Sequence, residues 1–241
     1  MAELEGRAAV VTGGTGILGR HFCRALAAHG AAVAIVDRNP EECETFASEL
    51  GRDHGRRCVG IGCDIRSPEE VAAMAARVNR ELGSFDILLN NAATKTDDLA
   101  AFFEPFESYA LETWREVMSV NLDGLFLVAQ AAARAMIAQG RGGSIIQTSS
   151  IYGVVAPDQR IYEGSSYLGR AINTPAVYSA SKAGVLGLSR YLATYLAPHG
   201  IRVNTLTPGG VRSGQNDEFE RRYSGRVPLG RMAEAEDLLG A

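Results

Sequence analysis

A tyrosine and a lysine in the segment YSASK have the types and the spacing of a proton-transfer pair. Tyr178 and Lys182 are four residues apart, so on a helix their side chains lie on one face. An ammonium near a phenol favours the phenolate, and this lowers the pKa of the phenol from its reference value of about 10 toward neutral pH. A tyrosine tuned in this way can give a proton to a substrate oxygen or take one from it. Taken alone, such a pair is more often an ordinary feature of an exposed helix.

Two further polar residues could assist this pair. Ser150 closes the strand predicted over residues 144–148. Asn121 lies in a helix predicted over residues 111–139, which we expect to bend near it. As isolated residues both are more often structural than catalytic, so the case for catalysis depends on what surrounds them.

Three glycines predict a phosphate-binding turn. Gly14, Gly16 and Gly19 form the pattern GxGxxG between a predicted strand and a predicted helix. The first glycine of this pattern permits a tight turn, the second lets the backbone approach a pyrophosphate, and the third lets the helix pack on the strand. The helix N-terminus offers free N–H groups and the positive end of its dipole to the phosphates. Asp37 ends the next predicted strand, 18 residues after Gly19, where a carboxylate can bind a ribose diol.

Asp37 also bears on which dinucleotide is bound. Its charge would repel a 2′-phosphate, which favours NAD over NADP. The neighbouring Arg38 could hold that phosphate, so NADP stays open as the alternative.

The elements that must position these residues alternate between short apolar runs and longer amphipathic stretches. The apolar runs are continuous, as in strands of a parallel sheet that helices cover on both faces. This alternation predicts an α/β doubly wound sheet, the Rossmann fold, as a single domain over residues 1–241. Strands are predicted over residues 7–12, 32–37, 57–63, 85–90, 144–148 and 202–207, and helices over residues 17–29, 67–82, 111–139 and 176–197, with another helix opening at residues 39–42.

Two stretches, residues 94–109 and 151–174, interrupt this alternation. Each follows a predicted strand, where ligands bind in open α/β sheets, and long irregular segments in a compact domain are usually functional or disordered. The second stretch lacks helical or strand periodicity. Side chains from both stretches could surround a polar or anionic ligand, although a solvated, partly packed loop explains them about as well. The candidates are Lys95, Tyr152, Arg160, Tyr162, Tyr167 and Arg170.

The composition limits the classes of function. The 241 residues carry a net charge of −4, which argues against a nucleic-acid partner. We expect no membrane span, because no apolar run approaches the roughly 20 residues that one needs, and no signal peptide, because residues 1–6 carry two glutamates. The four cysteines show no CxxC pair and no histidine partners at zinc spacing, so we expect no metal site. These features favour a reduced, cytoplasmic protein.

Several motifs resemble those of the short-chain dehydrogenase/reductase family over residues 7–238, nearly the whole chain. Independent motifs in the right order are far more specific than any one of them. They are TGGTGILG at residues 12–19, Asp64-Ile65, NNAA at residues 90–93, Asn121, Ser149-Ser150, YSASK at residues 178–182 and PGGV at residues 208–211.

The resemblance implies roles for the candidate residues. Tyr178 would be the catalytic acid/base, and Lys182 would hold the nicotinamide ribose and tune Tyr178. Ser150 would orient and polarise the substrate carbonyl or hydroxyl, and it is preferred to Ser149 because a glycine follows it by three positions, as in the family. Asn121 would support a water that passes protons to Lys182.

The resemblance also implies a cofactor site along one edge of the sheet. Asp64 and Ile65 would flank the adenine. Asn91 and Ala92 would line the cofactor cleft, and Val211 would present its backbone to the nicotinamide amide. The implied cofactor contacts are Gly13, Thr15, Gly16, Ile17, Leu18, Gly19, Asp37, Arg38, Asp64, Ile65, Asn91, Ala92, Tyr178, Lys182, Pro208, Gly209, Val211 and Ser213.

Three departures from the family pattern matter. The glycine loop reads TGxxGxxG, the spacing of a longer branch that modifies nucleotide sugars, whereas the NNAA and PGGV segments look like those of the shorter branch. The 28 residues from Ser150 to Tyr178 exceed the usual interval, so residues 151–174 contain an insertion. Relatives continue beyond the helix that opens at residues 234–239 into a last strand. We therefore expect that final strand to be absent and residues 202–207 to lie near an uncovered sheet edge, in a fragment or in a chain that hides this edge by association.

These observations predict an NAD(P)-dependent oxidoreductase that moves a hydride between the nicotinamide and a carbonyl or secondary alcohol. The insertion and the glycine loop resemble those of members of bacterial surface-sugar pathways, which implies a sugar or nucleotide sugar as substrate. Two alternatives stay open, a non-catalytic dinucleotide-sensing module and a nucleotide-sugar epimerase or dehydratase. The presence of all four catalytic residue types favours an enzyme over the first, and the lack of room for a large C-terminal substrate domain disfavours the second. We expect a homodimer or homotetramer that packs residues 111–139 and 176–197 against their symmetry mates.

Overall fold

The structure, a computed structural model, describes residues 3–167 and 169–240. The strands are β1 (Ala8–Thr12), β2 (Ala32–Asp37), β3 (Cys58–Gly62), β4 (Ile87–Asn90), β5 (Gly143–Thr148), β6 (Ser166–Tyr167), β7 (Arg170–Ala171) and β8 (Ile201–Leu206). The helices are α1 (Ile17–Ala28), α2 (Pro40–His54), α3 (Pro68–Leu82), α4 (Leu99–Phe102), α5 (Leu111–Met118), α6 (Leu125–Gln139), α7 (Ala176–Tyr195) and α8 (Asp217–Ser224).

Six strands form one parallel sheet in the order β3-β2-β1-β4-β5-β8. The order reverses between β1 and β4, and this switch point opens a crevice at the carboxyl ends of the strands, where doubly wound sheets bind ligands. The predicted doubly wound α/β domain is confirmed. In the described part of the chain β8 is an edge strand and no further strand joins the sheet, as expected.

Burial on both faces explains why the strands read as continuous apolar runs. All five residues of β1 are buried. Ala9 and Val11 pack on one side with Phe22 of α1 and Phe46 of α2. Val10 packs on the other side, in a cluster with residues of α3 and α6. Successive side chains of the strand therefore enter two different cores.

The helices begin where the sequence offers a side-chain cap. Asn39 Oδ1 accepts hydrogen bonds from the N–H groups of Glu41 and Glu42 at 3.1 and 3.3 Å, which starts α2. Ser67 Oγ accepts one from the N–H of Glu70 at 3.2 Å and starts α3. Each cap satisfies N–H groups that have no partner inside the helix. Both helices follow a strand at its carboxyl end, the edge of the sheet where the crevice opens.

The long helix predicted over residues 111–139 is present, with a π-helical turn (Ser119–Gly124) joining α5 to α6. The expected bend falls at Asn121, which is fully buried in this turn. A π-turn leaves main-chain groups out of the regular i to i−4 pattern and is frequent at functional sites. The turn thus presents Asn121 from the interior of a helix instead of from a loop.

This joined helix is long and apolar enough, by length and composition alone, to cross a membrane. Polar residues such as Asn121, Asp123 and Arg134 interrupt it, so the sequence shows no continuous apolar run of that length. Leu125, Val128 and Met136 are fully buried in the cluster around Val10, so the described fold uses this helix in its core.

The described residues of the stretch 151–167 and 169–174 are more ordered than their sequence suggests. They contain two 3₁₀ turns (Ile151–Gly153 and Gln159–Tyr162) and the hairpin β6–β7. Ile161 is buried beside Phe219 and Tyr223 of α8 and beside Met232. This packing is between distant segments, so no local periodicity could reveal it. The insertion and α8 together form one wall over the crevice.

Candidate active site

A cleft of about 380 Å³ opens at the carboxyl ends of the central strands. Its floor comes from the ends of β5 and α7, and its sides come from the loop after β4, the insertion and residues 208–215. The predicted site residues that the cleft brings together are Ile17, Leu18, Asn91, Ser150, Tyr178, Lys182, Pro208, Gly209, Val211 and Ser213.

Tyr178 and Lys182 lie one turn apart on α7, as their spacing predicts. The ammonium of Lys182 lies 5.9 Å from the centroid of the Tyr178 ring. Lys182 is only 3% exposed, and its Nζ donates a hydrogen bond to the Thr148 carbonyl at 3.0 Å. Burial lowers the pKa of Lys182 to about 8. At a pH close to this value both the ammonium and the free amine of Lys182 are populated. The lysine can therefore take up and release a proton near neutral pH.

The pKa of Tyr178 does not follow the sequence-based expectation. Burial raises its pKa above the ordinary value, and a hydrogen bond with Ser150 opposes that rise. The expectation was wrong because it weighed only the charge of Lys182 and not the desolvation of the phenol, which is the larger effect here. In this structure Tyr178 is therefore a protonated acid at neutral pH.

The two adjacent serines have different environments. Ser149 Oγ donates to the carbonyl of Lys182 at 2.7 Å and so ties β5 to α7. Ser150 Oγ accepts a weak hydrogen bond from the N–H of Tyr152 at 3.3 Å, and its hydroxyl lowers the pKa of Tyr178. Both serines line the cleft, but only the Ser149 hydroxyl is tied to the backbone of α7, which favours Ser150 as the residue that would meet substrate.

Asn121 reaches the site through the loop after β4 and does not line the cleft. Its Oδ1 accepts from the N–H of Thr94 at 2.8 Å, and its Nδ2 donates to the Thr94 carbonyl at 3.3 Å. The amide therefore clamps both main-chain groups of Thr94. This positions the residues that follow Thr94 at the mouth of the cleft.

The glycine loop fits a dinucleotide pyrophosphate. Gly13 has a φ of +64°, and a Cβ on Gly19 would stand 2.0 Å from the Gly13 carbonyl oxygen, so neither position admits a side chain. Helix α1 begins behind Gly16, which has no side chain to cap the first N–H groups of the helix. Those groups are free to bind phosphate. One detail differs from expectation: the left-handed turn residue is Gly13, whereas Gly14 is confined by the approach of Ile35.

Asp37 holds the glycine loop as well as facing the ribose position. Its Oδ2 accepts hydrogen bonds from the N–H and the hydroxyl of Thr15 at 3.2 and 2.8 Å. Its Oδ1 accepts one from the N–H of Arg38 at 2.8 Å. The Arg38 guanidinium is largely exposed, and its ion-pair contact with Asp97 is long at 3.9 Å. Its side chain is therefore not held in a fixed position from which it could bind a 2′-phosphate.

The expected adenine contacts are only partly available as side chains. Ile65 is 5% exposed and packs in the core against Gly124, so only its main chain could meet a ligand. Asp64 is paired with Arg66 at 2.5 Å, which holds the pKa of the carboxyl below its usual range. Asn91 Nδ2 donates to the Thr12 carbonyl at 3.3 Å and joins β4 to the glycine loop.

Among the insertion residues, tyrosines reach the cleft and arginines do not. Tyr152, Tyr162 and Tyr167 line it together with Lys95. Arg160 turns outward to Asp158 at 2.8 Å, and Arg170 lies on the exposed hairpin strand β7. Further residues that the sequence does not single out also line the cleft, because they come from segments with no chemical motif. They are Phe102, Phe103, Asn173, Gln215 and Phe219.

A doubly wound sheet with a glycine loop at its switch point, and beside it a half-buried Tyr178 with buried Ser150 and Lys182, defines a dinucleotide-dependent oxidoreductase. The sequence profile described as short chain dehydrogenase matches residues 7–224. The chain therefore belongs to the short-chain dehydrogenase/reductase family.

Individual relatives agree with this assignment along the whole chain. D-threitol dehydrogenase of Mycolicibacterium smegmatis is 36% identical over 99% of this chain and 85% of its own length. An NAD⁺-bound xylitol dehydrogenase is 27% identical with a TM-score of 0.84, covering 99% of this chain and 91% of that one. A gluconate 5-dehydrogenase of Burkholderia cenocepacia in complex with NADP and tartrate is 32% identical with a TM-score of 0.85. The match covers 99% of this chain and 87% of that one. The chain is an NAD(P)-dependent oxidoreductase that acts on CH–OH groups of a small molecule.

Proposed function

We propose that this protein oxidises a secondary hydroxyl of a small polyhydroxylated substrate, a sugar, sugar alcohol or sugar acid, with NAD as the acceptor. The observation that carries the proposal is a wall of hydroxyl groups, from Tyr152, Tyr162 and Thr174, in the cleft that contains Tyr178. Tyr162 hydrogen-bonds Thr174, and its hydroxyl lies 3.5 Å from that of Tyr152. Such a wall can satisfy the several hydroxyls of a polyol. The relatives named for threitol, xylitol and gluconate act on the same class of molecule.

The proposed mechanism divides the work between proton and hydride. A bound NAD would supply the hydride acceptor for the carbinol carbon of the substrate. The ionised oxygen of Tyr178 takes the hydroxyl proton of the substrate, and Ser150 hydrogen-bonds the same substrate oxygen as it becomes a carbonyl. Lys182 has three N–H donors, of which one binds the Thr148 carbonyl, so the others can hold the cofactor ribose.

In this proposal Asn121 contributes to proton transfer through its main chain. Its side-chain amide is engaged by Thr94, and the π-turn takes main-chain groups out of the regular helical pattern. A water held there would connect Lys182 with solvent.

The charge of the cleft argues against a nucleotide sugar as substrate. The described residues that line it include two lysines, Lys95 and Lys182, and no arginine. A diphosphate is usually held by arginine forks, several cations or a helix N-terminus, and the N-terminus of α1 is assigned to the cofactor.

A panel of substrates tests the proposal. Purified protein with NAD is assayed by nicotinamide absorbance against four- to six-carbon sugar alcohols, aldoses, sugar acids, simple secondary alcohols and nucleotide sugars. We expect the highest kcat/KM among the polyhydroxylated compounds without a nucleotide. A preference for nucleotide sugars or for simple alcohols would contradict the proposed substrate class.

We expect Asp37→Ala to shift cofactor preference toward NADP by at least about tenfold, or 1.4 kcal/mol, because the carboxylate that repels a 2′-phosphate is gone. Dissociation constants of both cofactors from fluorescence titration measure this shift. Thr15→Val is the matched control, since it removes one hydrogen bond to Asp37 and keeps the carboxylate. The control should weaken both cofactors alike. If the unmodified protein binds NADP more tightly than NAD, the proposed preference is wrong.

The raised pKa of Tyr178 gives the two reaction directions opposite pH dependence. Oxidation needs the phenolate, so its kcat/KM should rise with pH between 6 and 9 by up to about tenfold per unit. Reduction needs the phenol, so its kcat/KM should be flat or fall over the same range. Initial rates in both directions, with recovery of activity at pH 7 as the control for denaturation, measure this. Oxidation that does not vary with pH would exclude a buried phenol as the titrating base.

We also propose a homodimer or homotetramer in a reducing, cytoplasmic setting. Phe126 and Ile137 of α6 are 45% and 37% exposed, and the stacked rings of Tyr191 and Tyr195 on α7 are about 60% exposed. A surface of this kind favours association between copies. The four cysteines are free in the described structure, in agreement with a reducing compartment. Light scattering should give a dimer or tetramer mass, and Phe126→Glu should lower it; a monomer would contradict the proposal.

A further inference from the structure

The loop after β4 carries a lysine with no role in the mechanism. Lys95 lines the cleft that also contains Tyr178 and Lys182. Its ammonium lies 4.2 Å from the centroid of the Tyr167 ring, so it spans from the loop to the insertion. Lys95 as a whole residue is exposed, and partial desolvation of its ammonium lowers its pKa.

The backbone on both sides fixes where this lysine stands. Asn121 clamps both main-chain groups of Thr94, the residue before it. Thr96, the residue after it, has a φ of +64°, the one non-glycine residue with positive φ in the described chain, and its N–H binds Thr94 Oγ1 at 3.0 Å. Left-handed backbone at a threonine is strained, and such strain clusters at ligand sites. Lys95 is therefore held in place before any ligand arrives.

No carboxylate balances this cation inside the cleft. Of the described residues that line the cleft, none is Asp or Glu, although the whole chain has a net charge of −4. The two nearest acids in sequence are used elsewhere: Asp97 is 93% exposed beside Arg38, and Asp98 caps α4 by accepting from Ala100 and Ala101. A partly desolvated cation with only an aromatic ring as partner favours an anionic ligand.

We infer that Lys95 determines specificity by binding the carboxylate of the substrate, so that the preferred substrates are polyhydroxy acids and not neutral sugar alcohols. A single ammonium with no arginine beside it suits a monoanionic carboxylate better than a phosphate ester. The inference rests on the proposed function and narrows its substrate class.

The test compares matched acid and alcohol pairs, gluconate with glucitol and threonate with threitol, by kcat/KM with NAD. We expect the unmodified protein to prefer the acid of each pair. Lys95→Met should lower the acid-to-alcohol ratio by about ten- to hundredfold, the range of one hydrogen bond to a charged group. Lys95→Arg should restore part of the ratio. Arg170→Met, which removes an exposed cation from the hairpin that carries Tyr167, is the control and should leave the ratio unchanged.

The outcomes separate four cases. A lower ratio in Lys95→Met that Lys95→Arg recovers supports the inference. If Lys95→Met and Tyr167→Leu lower the kcat/KM of acid and alcohol equally, the lysine only holds the insertion against the loop. The inference is then wrong. It is also wrong if the unmodified protein prefers the alcohols, although the proposed function then stands. If no polyhydroxylated compound of the substrate panel is oxidised, the proposed function fails and the inference fails with it.

Discussion

Replacing Tyr178 with phenylalanine should lower kcat by about 10²- to 10⁴-fold, the usual contribution of a positioned acid or base. The change removes one oxygen from a buried ring in the cleft and leaves the glycine loop and Asp37 untouched. NAD affinity should therefore stay within about twofold, a difference well below 1 kcal/mol. Steady-state rates and fluorescence titration of NAD give the two quantities separately.

The matched control is Tyr195→Phe, at the far and exposed end of the same helix. Its loss of a hydroxyl should leave kcat unchanged. If Tyr178→Phe keeps its activity within about tenfold, or 1.4 kcal/mol of barrier, Tyr178 is not the proton-transfer group.

Replacing Lys182 with methionine should move activity and stability in opposite directions. Turnover should fall more than about hundredfold, because the fixed charge beside the reacting groups is lost. The free protein should become more stable by on the order of 1–3 kcal/mol near neutral pH, because an ammonium that is 3% exposed with one carbonyl partner is replaced by an apolar chain of similar length. For a chain of this size each kcal/mol raises Tm by about 2–4 °C.

The pH dependence of this stability gain follows from the sign of the shift. Burial lowers the folded-state pKa of Lys182 from 10.5 to about 8, so the unfolded chain binds more protons between these two values. The unmodified protein therefore gains stability as the pH rises from 8 toward 10.5, and the methionine variant does not. Urea unfolding at pH 7 and pH 9.5 should show a larger advantage for methionine at pH 7. A methionine variant that is less stable at both pH 7 and pH 9.5 would show that the buried ammonium does not destabilise the folded protein.

The sequence predicted the parts of this molecule that local patterns control. Continuous apolar runs gave the parallel sheet, and the Asn39 and Ser67 caps gave the starts of two helices. The four-residue spacing of Tyr178 and Lys182 gave their shared face on α7. Each of these depends on contacts a few residues apart or on burial that a run of residue types reveals.

The features that the sequence did not predict depend on contacts between distant segments of the chain. The raised pKa of Tyr178 comes from desolvation by the assembled cleft. Arg160 turns outward because Asp158 and not a ligand binds it. The fixed position of Lys95 depends on Asn121, 26 residues away, and on a ring from the insertion. None of these contacts has a period or a motif along the chain.

The central claim, that this site transfers a hydride from a polyhydroxylated substrate to NAD, is tested most directly by following the hydrogen itself. The best substrate of the panel is supplied with deuterium on its carbinol carbons, and the product NADH is analysed by mass spectrometry. We predict one deuterium in each NADH formed by the unmodified protein, and almost no NADH from Tyr178→Phe at the same concentration. Tight NAD binding with no deuterium transfer from any polyhydroxylated substrate would contradict the account and indicate a dinucleotide-binding module without turnover.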